Sequence, residues 1–348
     1  MRILVTYNPT HIYHNQRGSP ENPERIESIY RYLKSTLSSH LEFMDIREPA
    51  SMDDILAVHT EQYLDFLERM SRRGETFLGD STYLNKYSYM AALIAAEASI
   101  TAVDEVLNMN YDTSYALIRP PGHHASSDMY GGFCLLNNGA IATKHLLDRG
   151  LKKIAIIDWD AHAANGTMKI FYSSADVLLI SIHRDPTDYY PHEGFMHQIG
   201  RGEGTGYTVN ITLPQGAGDE EYLMVFDRII TPIIKDFSPD FIIGENGFDP
   251  HYSHTKIGMQ LTVKGFVNIL KKIKEYNKPF SIIQEGGYTS YNPKIAAAMM
   301  RYLINGEMTD ESYDSLSARI MEKGKVRKKT EEIIEKLTLI FSDYFSMG

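Results

Sequence analysis

Short apolar, β-branched runs alternate along this 348-residue chain with longer segments whose apolar positions recur every three or four residues. The short runs predict buried strands at 3–6, 115–118, 153–157, 177–182, 208–211, 241–244 and 280–283. Helical spacing predicts helices at 23–37, 88–107, 138–148, 220–235 and 263–276. Such alternation implies an α/β domain on a mainly parallel sheet with helices on its faces. From Glu307 onward the pattern changes to two charged, amphipathic helices. The second places Ile333, Ile334, Leu337, Ile340, Phe341 and Phe345 at helical spacing. That face is expected to pack back on its own domain or to meet a second copy.

Ionisable and hydroxyl residues collect where the strands end. "KIAIIDWDAHAANG" places Asp158, Asp160 and His162 after one apolar run, "DFIIGENGFDPH" places Asp249 after another, and "PFSIIQEGGY" places Tyr288 after a third. "YALIRPPGHH" presents His123 and His124, and "VLLISIH" presents Ser181. Ligands of open parallel sheets bind beyond the carboxyl ends of the strands, so these strand ends point to one rim. Adjacent histidines on a strand would face opposite sides. On the tight turn imposed by Pro120, Pro121 and Gly122, both rings can be aimed at one point, as paired acid–base work requires.

Asp160 and His162, two residues apart, project to the same side of an extended chain. With Asp249 they offer one imidazole and two carboxylates, a donor set for Zn2+ first and Fe2+ also, with a coordination position left open. A D-x-H triplet alone is more often a capped turn with solvated carboxylates.

Composition narrows the partners. There are 45 acidic and 35 basic residues, a formal net charge of -10, and no long basic run, which argues against binding a nucleic-acid backbone. The 43% hydrophobic content is ample for a large core. Cys134 is the only cysteine, so no internal disulfide can form, as suits a reducing compartment. It reads as a small buried hydrophobe. The start, "MRILVTYNPT", reads as a first strand rather than a signal peptide, and no apolar stretch is long enough for a bilayer. A cytoplasmic protein that does not touch membranes is expected. His192, His197, His251 and His254 lie in irregular stretches and read as solvated side chains rather than a second metal site.

Taken in order, "ENPERI", "RPPGHHA", "GGFCLLNN", "DWDAHAANGT", "SIHR", "NGFDPH" and "EGGY" resemble the zinc-dependent histone deacetylase superfamily. That superfamily has an arginase-like, three-layer α/β fold and includes acetylpolyamine amidohydrolases and acetoin-utilisation proteins. The resemblance implies a catalytic domain over 1–305 and leaves 306–348 as a helical extension, on the domain or at an oligomer interface. It implies that Asp160, His162 and Asp249 bind zinc and that Asp158 orients His123. His124 would be the general base and acid, and Tyr288 would donate to the substrate carbonyl. Asn165 stands where some members carry aspartate, which is a class II-like feature. Asp158, Asp160, His162 and Ser181 match a structural potassium site. Phe133, Tyr190 and Gly132 match the acyl channel, Asp80 or Ser81 falls where a residue binds the substrate amide, and Arg25 matches an internal channel behind the zinc.

The implied reaction is removal of an acyl group, acetyl above all, from an amine such as a protein lysine or a small metabolite. An acetylpolyamine amidohydrolase and a non-catalytic acyl-amine or metal-binding protein are the alternatives. In "DAHAANGT", Ala163 and Ala164 replace a histidine and a glycine that relatives carry. Lys256 occupies a channel-mouth position where polyamine-selective relatives carry glutamate. It is expected to disfavour cationic substrates, or simply to point at water. Glu285, before the glycine pair, is given no role.

Overall fold

The computed structural model describes residues 1–308 and 323–347. Its strands are β1 (Ile3–Tyr7), β2 (Leu41–Asp45), β3 (Thr76–Gly79), β4 (Thr82–Leu84), β5 (Thr113–Leu117), β6 (Ile154–Asp158), β7 (Val177–Arg184), β8 (Thr208–Leu213), β9 (Phe241–Asn246) and β10 (Phe280–Gln284). Eight of them form one sheet in the order β2-β1-β5-β10-β9-β6-β7-β8, and every pairing in it is parallel. β3 and β4 form a separate antiparallel hairpin.

The helices are α1 (Glu24–Leu37), α2 (Met52–Leu56), α3 (Glu61–Arg73), α4 (Ser88–Leu107), α5 (Asn138–Asp148), α6 (Asn165–Phe171), α7 (Asp219–Val225), α8 (Thr231–Phe237), α9 (Val263–Glu275), α10 (Asn292–Asn305) and α11 (Lys323–Phe341). They cover both faces of the sheet. Alternate strand residues feed two separate cores, as a period of two requires. Tyr115, Leu117, Ala155 and Ile157 pack with α1 and α7 to α11, whereas Ala116, Ile118, Ile154 and Ile156 pack with α2 to α6. The result is the three-layer α/β arrangement that the strand–helix alternation implied.

Differences from the sequence pattern have local causes. β2 was not foreseen because it is an edge strand, and its LEFMD run buries only Leu41 fully. The helix expected over 220–235 is split by a π-helical turn, Phe226–Ile230, and Pro232, the second residue of α8, has no amide hydrogen for a continuous ladder. The first of the two expected tail helices falls outside the described residues. The second is α11, which packs on β8 and the π-helical turn; Ile334, Leu337, Phe341 and Phe345 are buried in the main core. No helix among the described residues is long and apolar enough to cross a membrane.

Candidate active site

Four neighbouring strands, β5, β10, β9 and β6, carry singled-out residues at or just beyond their carboxyl ends, while Ser181 lies within β7, level with Asp158 at the end of β6. Because the strands are parallel, those ends share one edge. The turn after β5 is held from three sides. Glu285, just past β10, accepts the N–H groups of Gly122 (2.7 Å) and His123 (3.1 Å) on one carboxylate oxygen. The Asn138 amide donates to the Pro120 carbonyl at 3.1 Å, and that of Asn137 to the Ala125 carbonyl at 2.9 Å. Asn137 also caps α5 by accepting the Ala140 N–H.

This support brings the two histidine rings together, tilted at 45° with centroids 4.0 Å apart, yet gives them different partners. His123 Nδ1 lies 2.9 Å from Asp158 Oδ2, so Nδ1 carries the proton and the carboxylate accepts it. His124 Nδ1 lies 2.7 Å from Asn165 Oδ1 at the start of α6. Burial, then the neighbouring His123 and His162, hold His124 well below the ordinary imidazole value, so its ring is neutral. Behind Asp158 stands Glu245, fully buried, accepting the Thr167 hydroxyl at 3.3 Å. Burial and then the Asp158 charge raise Glu245 far above the usual carboxylate range.

The candidate metal ligands converge. Asp160, His162 and Asp249 each offer a ligand atom, all within 4.8 Å of one another. His162 Nδ1 is 2.9 Å from both Asp160 Oδ1 and Asp249 Oδ2. Burial alone would lower His162, but the Asp249 and Asp160 carboxylates override it and raise the imidazole to about 10. The pocket therefore asks for positive charge. Asp249 Oδ2 is buried and accepts no hydrogen bond, as expected of an atom kept for a cation.

Backbone amides fix the other oxygens: Ala161 donates to Asp249 Oδ1 at 2.9 Å and Gly286 to Asp160 Oδ2 at 3.0 Å. A Cβ at Gly286 would stand 2.5 Å from Asp160 Oδ2 and 2.9 Å from Asp249 Oδ2, so glycine leaves the cradle open. One imidazole and two carboxylates fit a divalent cation such as Zn2+ or Fe2+. Ser181 pairs in register with Asp158; its hydroxyl accepts the Ala164 N–H at 3.2 Å and sits 2.9 Å from His183 Nδ1.

A cavity of about 510 Å³ opens over His124, lined by Asp80, Gly131, Tyr190 and Glu193 among others. Asp80 sits at the tip of the β3–β4 hairpin with φ 47°, and its carboxylate accepts the Tyr190 hydroxyl at 2.7 Å. Gly132 is glycine for a steric reason: a Cβ there would stand 2.2 Å from His124 Cδ2. The rings of Phe133 and Tyr288 lie tilted to one another, with centroids 5.7 Å apart. Burial raises the Tyr288 phenol well above its ordinary value, against the pull of Arg25, whose guanidinium lies 4.5 Å over the ring. Arg25 also donates to the carbonyls of Gly287 and Glu285 at 2.7 Å each, pinning the loop that bears Tyr288. Lys256 is exposed and does not line the cavity.

Residues 19–304 match the model of the histone deacetylase domain. This chain belongs to the histone deacetylase family. A probable deacetylase of Archaeoglobus fulgidus is 39% identical over 89% of each chain, and one of Methanothermobacter thermautotrophicus is 34% identical over 99% of this chain and all of its own. The histone deacetylase HDA1 of Saccharomyces cerevisiae is 34% identical over 94% of this chain, which spans about half (49%) of that longer protein. The solved HDA15 HD domain superposes with a TM-score of 0.88 at 27% identity, covering 99% of this chain and 95% of its own. Family membership makes the chain a deacetylase and hence a hydrolase.

Three residues in this histone deacetylase-type site escaped the sequence reading. The Tyr189 hydroxyl lies 2.7 Å from His162 Nε2, Glu193 contacts the Asn165 amide, and Glu285 holds the histidine turn. Tyr189 and Glu193 belong to the irregular stretch after β7, where no periodicity marks a side chain's direction. Glu285 directly follows an apolar strand, the one signal that could have flagged it. Among the described residues, His192, His197, His251 and His254 form no metal-ligating group.

Proposed function

We propose that this histone deacetylase-family chain is a divalent-metal-dependent hydrolase that removes an acyl group, acetyl above all, from an amine such as acetyl-lysine or a small N-acetylated metabolite. One observation carries the reading: two histidines with different Nδ1 partners stand beside a cradle that holds a carboxylate–imidazole–carboxylate set around an orphaned oxygen. A Zn2+ or Fe2+ ion held by Asp160, His162 Nδ1 and Asp249 would supply Lewis acidity, polarising a carbonyl and lowering the pKa of water.

The chain's own groups do the rest. With Nδ1 protonated toward Asn165, neutral His124 presents Nε2 to take the proton of the attacking water. The same nitrogen then returns that proton to the leaving amine as the C–N bond breaks. His123, its Nδ1–H fixed by the Asp158 carboxylate, keeps its orientation beside the reacting centre and stabilises developing negative charge there through its ring dipole. Tyr288 donates its phenol to the carbonyl oxygen; one such donor contributes about 3 kcal/mol. Gly132, Phe133 and Tyr190 flank the acyl group, and Asp80 receives the substrate's amide N–H. Ser181 and the backbone at Asp158, Asp160 and His162 would hold a structural K+. Arg25 borders the space behind Tyr288.

The test is hydrolysis of an acetyl-lysine peptide by metal-stripped and Zn2+- or Fe2+-loaded protein, parent against His124→Ala. Activity that requires the metal and falls at least about 100-fold in the variant is expected. Equal activity with and without metal, or a variant that keeps most of it, would overturn the reading.

A further inference from the structure

An asparagine side chain can face a histidine with its oxygen or with its NH2 group, and the two orientations demand opposite imidazole tautomers. At Asn165 a neighbour decides. Glu193 lies in the stretch after β7, and its Oε2 is 3.1 Å from Asn165 Nδ2 and 2.8 Å from Lys169 Nζ. An ion-paired carboxylate has no proton to give, so it takes the NH2 group and turns Asn165 Oδ1 toward His124 Nδ1, 2.7 Å away. An amide oxygen likewise only accepts. His124 must therefore carry its proton on Nδ1 and present a free lone pair at Nε2. With the amide reversed, Nε2 would hold the proton and could not take one from water.

Lys169 lies on α6 one turn after Asn165, so a single helix presents both partners of Glu193. The carboxylate is half-buried at the rim of the cavity over His124.

We infer that Glu193 is a positioning residue: by orienting the Asn165 amide it fixes the tautomer in which His124 acts as a base. The catalytic meaning rests on the function proposed above; the tautomer does not. A carboxylate at position 165 would need no orienting partner and would be repelled by Glu193. The inference therefore predicts a change of sign between backgrounds.

The test compares parent, Glu193→Ala, Glu193→Gln, Asn165→Asp and the Asn165→Asp/Glu193→Ala double variant, all checked for thermal stability. Two readouts are used: 15N chemical shifts of the His124 ring in ¹⁵N-histidine-labelled protein, and kcat, KM and their pH profiles on an acetyl-lysine peptide with metal bound. Glu193→Ala should shift His124 away from the Nδ1–H tautomer and lower kcat about tenfold with little change in KM. Glu193→Gln, which keeps an acceptor, should retain the parent tautomer and most of the activity. In the Asn165→Asp background, Glu193→Ala should raise activity or leave it level. An equal loss in both backgrounds, or an unchanged His124 tautomer in Glu193→Ala, would overturn the inference. A parent inactive on every acyl-amine would defeat the proposed function, while the ring shifts would still decide this point.

Discussion

A metal-ligating imidazole binds through one nitrogen and needs a partner to hold the proton on the other. For His162, a ligand in the proposed metal site, that partner would be the Tyr189 hydroxyl, 2.7 Å from Nε2, while the two rings stack at 4.8 Å. Tyr189→Phe keeps the stack and deletes the acceptor. It is expected to weaken Zn2+ binding about tenfold in competition with a chromophoric chelator; an unchanged affinity would show that the hydroxyl is idle. Sequence reading selected Tyr190 and passed over its neighbour, because nothing in "DYYPHEG" reveals which ring meets the cradle. Lys256 teaches a related lesson. Counting along the motif put it at the mouth, yet the cavity is lined by Asp80, Glu193 and Lys169, with Lys256 exposed outside it. Lys256→Glu should change the ratio of kcat/KM for cationic and anionic acyl-amines by no more than about fivefold, the worth of a solvated surface charge.

At the scale of elements, legibility followed burial. The five strands that carry the site are buried along their whole length, so continuous apolar runs announced them. β2 and the β3–β4 hairpin lack that signal, and the hairpin is the element that brings Asp80 to the mouth. The loops between strand ends and helices resisted prediction because hydrogen bonds from distant residues shape them, as Asn138 and Glu285 do for the histidine turn. In α11 the helical spacing correctly separates inner from outer positions. Phe341 is fully buried and Leu339 is 75% exposed. Phe341→Ala is expected to cost about 3–5 kcal/mol in urea unfolding, and Leu339→Ala close to nothing. Similar losses for both would mean that the helix is not docked as described.

Across the whole molecule, a buried ionic knot ties the amino-terminal segment to the turn after β5. Glu21 is fully buried and accepts Arg119 Nε at 2.5 Å and Arg25 Nη1 at 3.0 Å. Burial would raise its carboxyl, but Arg119 and then Arg25 outweigh it and hold Glu21 at about 2, below the ordinary 4.5. The folded state thus binds this proton more weakly than the unfolded chain does. Its stabilisation is complete above pH about 4.5 and disappears as the pH falls toward 2, a span of about 3 kcal/mol. Glu21→Gln should lower stability at pH 7 by about 3–5 kcal/mol, since it strands two buried guanidinium groups. It should also flatten the acid limb of a plot of unfolding free energy against pH. A variant with the parent's acid limb would remove Glu21 from the account.

The sheet order has a further consequence for how the protein comes into being. β10, the last strand to leave the ribosome, lies between β5 and β9. Until it is made, the sheet exists only as two unjoined halves, one bearing the histidine pair and the other bearing Asp160, His162 and Asp249. The pocket straddles that seam, so a chain interrupted before residue 280 would hold nearly all of the candidate site's side chains without the site itself.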